Sequence, residues 1–107
     1  MPVAGRLILS PMDGFSDLPF RLICRELGSA LSYTEFVNVD ELGATRRRDT
    51  RAWKKLQFDP AEHPAMVFQI YGHDVDRLVE IGQRVVEEGG PDALDINMGC
   101  YVKSISE

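Results

Sequence analysis

A chain of 107 residues, 44% apolar and 27% charged, has room for one small domain with a modest core and is too apolar to remain disordered. Its formal charge of -5 argues against nucleic-acid binding by bulk charge, so any RNA contact must come from a local basic patch. Two cysteines without CxxC spacing exclude a disulfide framework and a zinc site, and no apolar run reaches membrane-span or signal-peptide length, so a soluble, cytoplasmic protein is expected.

In chain order, Leu7 to Leu9 is a short apolar run stopped by Ser10 and Pro11, which predicts a buried strand. Ser16 is placed to cap a helix with Asp17 and Pro19 in its first turn. Leu18, Leu22, Ile23 and Leu27 then recur at helical spacing up to Gly28, and Cys24 among them reads as core. Ala30 to Phe36 is a second strand candidate, and Asp40 to about Leu56 reads as helix interrupted at Asp49 and Thr50. Ala65 to Tyr71 is a third, strongly apolar strand. Beyond Gly72, Asp74 opens a helix in which Val75, Leu78, Val79, Ile81, Val85 and Val86 repeat at three and four residues. Gly89, Gly90 and Pro91 break that helix, and Ala93 to Ile96 forms a fourth strand running into Asn97, Met98, Gly99 and Cys100.

Strand and helix therefore alternate with short connections, the pattern of a parallel sheet with crossover helices. A flavodoxin-like or Rossmann sheet fits the same order, but no GxGxxG follows any strand. Polar, Gly-bearing segments follow the first, third and fourth strands instead, where a barrel enzyme builds its site. A whole (β/α)8 barrel takes about 250 residues, so the fold class expected is α/β, a partial TIM barrel of about four βα units.

Four segments at successive strand ends carry more specific information. They are Ser10, Pro11, Met12, Asp13, Gly14 with the helix start Asp17 to Arg21; Tyr33, Thr34, Glu35; Gln69 with Gly72; and Asp95, Ile96, Asn97, Met98, Gly99, Cys100. Each is weak alone, but in order, spacing and position the set resembles the tRNA-dihydrouridine synthase family, across essentially the whole chain.

The resemblance implies that residues 1–107 are the N-terminal portion of a single FMN-binding TIM-barrel domain, whose other half is needed for activity. It implies reduction of uridine to 5,6-dihydrouridine in tRNA, with hydride from FMNH2 reaching C6 and a proton from Cys100 reaching C5. NADPH or NADH would reduce the flavin. Pro11, Met12 and Asp13 would lie against the flavin ring, Gln69 would hydrogen-bond its polar edge, and Asn97 would contact the substrate base. Cys100 suits an acid because a thiol near its free pKa of about 8.5 is mostly protonated at neutral pH. One departure from the family pattern is Tyr101, which stands where proline usually follows the cysteine and stiffens the loop. Two other readings keep the same motifs: a catalytically incompetent barrel fragment, and a different FMN barrel oxidoreductase.

The remaining polar features read as surface. Arg46, Arg47, Arg48, Arg51, Lys54 and Lys55 form the one basic cluster, either a tRNA phosphate contact or a solvated helical face. His63 and His73 lack metal-ligand spacing, and Glu35 is a site candidate on barrel grounds without an assigned role.

Overall fold

The computed structural model of the protein describes residues 5–62 and 64–99, so His63, Cys100 and Tyr101 lie outside the described residues. The spine of the fold is a strand of six residues, Met66–Tyr71, apolar on both faces apart from Gln69. Met66, Phe68 and Ile70 point to one side, into the main core with Val37, Val39, Leu42, Trp53, Leu56, Ile81 and Val85. Val67 points to the other, against Leu31 and Ala65, with Tyr33 and Ala93 at the margin. A strand covered on both faces is the mark of a parallel α/β sheet.

On one flank this strand, β3, pairs with two short segments, β1 (Ser32–Tyr33) and β2 (Val37–Asn38); on the other it pairs with β4 (Ala93–Ile96). All pairings are parallel, so the protein is an α/β unit with an open four-stranded sheet, the layout of a partial barrel. Register at the lower end of β3 is pinned by Asp92, whose backbone N–H donates to Met66 O and whose carboxylate accepts from Met66 N, both at 2.9 Å.

The strand expected over 30–36 is interrupted. Ser32 lies opposite Met66 but Val37 lies opposite Ile70, so five steps along this edge match four along β3. One extra residue makes a bulge at 34–36, which splits the strand into β1 and β2. The strand expected at Leu7 to Leu9 does not form. Leu7 O accepts one bond from Ala30 N at 2.8 Å, Leu7 and Ile8 stay exposed, and a single bond without apolar cover does not make a ladder.

Helix α1 (Leu18–Glu26) is capped by Asp17, which accepts from Phe20 N at 3.1 Å, and not by Ser16. Ser16 is buried and bonds back to Met12, accepting from its N–H at 2.8 Å and donating to its carbonyl at 2.9 Å. Gly28, just past the helix, has φ 111°, the left-handed conformation that ends helices at glycine. Cys24, expected in the core, is half-buried, as are Leu18 and Leu22, while Ile23 and Leu27 are exposed and the buried member of the helix is Arg21. Its guanidinium donates to Glu62 Oε1 (2.9 Å), Ser16 O (2.9 Å) and Gln57 O (2.8 Å). A buried charge is tolerable only when paired and bonded in this way.

Residues 40–56 form two short helices, α2 (Val39–Gly43) and α3 (Arg51–Lys54), with Thr50 capping the second. Arg84 closes the connection between them: it donates to Leu42 O, Thr45 O and Arg46 O, and its guanidinium lies 5.1 Å from the Trp53 ring centre. Arg84 belongs to α4 (Val75–Gly89), which Asp74 caps through Arg77 N. Ile81, Gly82 and Val85 face the sheet, and a Cβ on Gly82 would sit 3.3 Å from Leu94, so glycine lets helix and strand approach closely. Val75, Val79 and Val86 stay exposed, beside Ile96 and Met98. Gly90, at φ 69°, ends the helix and donates to Val86 O. Gly90→Ala is expected to cost about 1 kcal/mol, because a Cβ is strained in the left-handed region, and urea denaturation would read the loss.

Candidate active site at the strand ends

Parallel strands bring their C-terminal ends to one edge of the sheet, and the polar residues gather there. Gln69 occupies the face of β3 that carries Val67, one residue in two along the strand. It is 6% exposed, and its partners are on β4 and just beyond. Gln69 Nε2 donates to Asp95 Oδ2 at 2.6 Å, and Gln69 Oε1 accepts from Asn97 Nδ2 at 3.4 Å. Asn97 Oδ1 then accepts from Gly99 N at 2.9 Å, and Asn97 N donates to Ile70 O at 2.9 Å. Three side chains from two strands thus form one chain of hydrogen bonds that ends on the backbone directly before Cys100.

The bulge supplies a second group. Thr34 Oγ1 accepts from Gln69 N at 3.0 Å and Thr34 N donates to Val67 O at 2.9 Å, so a hydroxyl replaces the backbone acceptor that the bulge removes. Thr34→Val keeps the shape and leaves the Gln69 N–H buried without this partner. A destabilisation of about 1–3 kcal/mol is expected, measurable as a lower urea midpoint. Glu35, next in the chain, reaches away to accept from Gly14 N and so ties the loop after Leu9 to the sheet.

That loop carries Pro11, Met12 and Asp13. Met12 is partly exposed, while the Asp13 carboxylate pairs with Lys55 Nζ at 3.1 Å. The loop therefore presents its backbone and the Met12 thioether, with the Asp13 charge already engaged. Sequence reasoning named Gln69 and Asn97, and the structure brings them into contact; Pro11, Met12 and Asp13 are held separately, through Glu35. Asp95 and Thr34 had no assigned role. The alternation Asp95, Ile96, Asn97 does signal that both polar residues share a face of the strand.

The donor set suits a flat ring bearing carbonyls and ring nitrogens. Gln69 and Asn97 each spend one N–H in the chain just described, and each has a second N–H and a further oxygen lone pair to offer. An isoalloxazine or a uracil edge matches such amides. Among the described residues no group of three His, Cys, Asp or Glu side chains could hold a metal ion, and no helix is long and apolar enough to cross a membrane.

The basic cluster is partly engaged within the protein. Arg47 pairs with Asp49 through Nε at 2.9 Å, and its guanidinium holds the Asp49 carboxyl below its ordinary value. Arg48 lies 5.5 Å from the Trp53 ring centre and donates to Glu88 O.

Comparison with known proteins supplies the context for this geometry. The family model "Dihydrouridine synthase (Dus)" matches residues 8–107, and the chain belongs to that family. It is 43% identical over 102 residues to "tRNA-dihydrouridine synthase B" of Pseudomonas aeruginosa, covering 94% of this chain and 29% of that protein. A "Probable tRNA-dihydrouridine synthase" of Rhizobium leguminosarum bv. phaseoli is 35% identical over 106 residues, covering 98% and 31%. One of the same name from Aquifex aeolicus is 31% identical over 101 residues, covering 94% and 30%. The chain thus spans under a third of the length of these relatives. No solved structure matches it.

Proposed function

We propose that this chain is part of a flavin-dependent oxidoreductase that reduces uridine to 5,6-dihydrouridine in tRNA. The observation that carries the reading is the part-buried chain Asp95, Gln69, Asn97 at the C-terminal ends of parallel strands, leading into Cys100 in a member of the dihydrouridine synthase family. FMN, when bound, supplies the hydride for C6 of the base and is itself reduced by NADPH or NADH. Gln69 would hold the polar edge of the flavin, with Met12 and the backbone of Pro11 and Asp13 against the ring. Asn97 would orient the uracil. The Cys100 thiol would give its proton to C5, on the face of the base opposite the incoming hydride.

The test is direct. The full chain, meaning residues 1–107 together with the remaining half of the barrel, incubated with FMN, NADPH or NADH and a tRNA transcript free of dihydrouridine, should produce dihydrouridine detectable by mass spectrometry of the digested RNA. Flavin-dependent reduction of a small enone with no change in the tRNA would overturn the substrate and favour a different barrel oxidoreductase.

A further inference from the structure

We propose that Asp95 is the positioning residue of this site: it fixes which way the amides of Gln69 and Asn97 face, and so which hydrogen-bonding groups they present to a bound ring. The inference rests on the functional reading above and adds a residue to it. An amide is nearly symmetric in shape, so packing alone does not choose between its two flipped orientations. A carboxylate chooses, because it offers only acceptors. With Asp95 Oδ2 at 2.6 Å, the Gln69 nitrogen must turn to β4, which leaves Gln69 Oε1 to receive the Asn97 N–H at 3.4 Å. That in turn points Asn97 Oδ1 at Gly99 N, 2.9 Å away. One acceptor at the head of the chain thereby sets the sense of every bond to the backbone before Cys100.

The outward inventory follows from that sense. One N–H and one oxygen lone pair stay available on each of Gln69 and Asn97, a set that includes donor, acceptor and donor. An imide edge presents acceptor, donor and acceptor, and that edge is common to isoalloxazine and uracil. Reversing the Gln69 amide would place its oxygen against Asp95 and break both neighbouring bonds, a loss that the buried Gln69 side chain cannot make good with solvent.

Two variants of the full chain separate positioning from simple structural support. Asp95→Asn removes the pure acceptor and lets either amide orientation form. It should weaken FMN binding about tenfold, read by quenching of flavin fluorescence, and shift the side-chain amide NMR resonances of Gln69 and Asn97. The double variant Gln69→Glu with Asp95→Asn restores one donor and one acceptor with their sense reversed. It should recover the melting temperature lost by Asp95→Asn but not the flavin affinity, because position 69 no longer donates. Equal recovery of both, or unchanged amide resonances in Asp95→Asn, would overturn the proposal. A wild-type full chain that binds no flavin would sink the functional reading instead, and the amide resonances would still decide the role of Asp95.

Discussion

Replacing Cys100 with alanine in the full chain is expected to leave bound flavin in place and to lower dihydrouridine formation by about 10²- to 10⁴-fold, the usual loss when a general acid is removed. The substitution deletes one thiol and no other polar group. The backbone that leads to it is held from the other side, by Asn97 Oδ1 on Gly99 N and by Asn97 N on Ile70 O, and neither bond involves the thiol. Cofactor contacts and loop position should therefore survive while the proton donor is lost. Single-turnover measurement of uridine reduction, with flavin absorbance recorded on the same sample, separates the two effects. An unchanged single-turnover rate would remove Cys100 from the mechanism.

Arg21→Ala is expected to destabilise the domain by about 3–5 kcal/mol, a large part of the roughly 5–15 kcal/mol that holds a typical domain together. Arg21 is 1% exposed and Glu62 0%, so the variant strands a carboxylate in the interior. It also withdraws donors from Ser16 O and Gln57 O, freeing the loop at Ser16 and the segment before the 3₁₀ turn Pro60–Glu62. Glu62 keeps its bond from Asp59 N at 3.0 Å, which does not replace a guanidinium. Arg21→Met combined with Glu62→Leu removes both charges together and should recover most of the loss. Urea unfolding of the two variants beside wild type provides the measurement. A single variant as stable as wild type would show that the pair contributes nothing.

How much of this was legible in the sequence depended on how far each element's partners lie along the chain. β3 and β4 were readable because each is a compact apolar run bounded by Gly or Pro, and α4 because its apolar period extends over four turns between Asp74 and Gly90. Leu7 to Leu9 looked equally apolar, but a strand is made by its neighbours, and its side chains find little cover among the described residues. Helix α1 was read at the right place but without its buried residue, since periodicity registers leucines and has no way to register that Arg21 meets Glu62 forty-one residues later. The site followed the same rule. Gln69 and Asn97 were named through the family resemblance that the strand-end segments carry, whereas Asp95 acquired meaning only once the pairing Gln69 to Asp95 was known.

The bulge between β1 and β2 makes changes of length in this segment unequal in their effects. Leu31 and Tyr33 pack with Val67 on one face, yet Val37, also odd-numbered, belongs to the helix-side core on the other. The extra residue has reversed the phase of the strand in between. Deleting Phe36 would straighten the edge while Ser32 and Val37 kept their partners and faces, so the sheet should survive and Glu35 would lose its reach to Gly14. Inserting one residue at the same place would throw Val37 out of phase with the core, a defect that only a second bulge could absorb. Shortening costs this protein a tether; lengthening costs it a core.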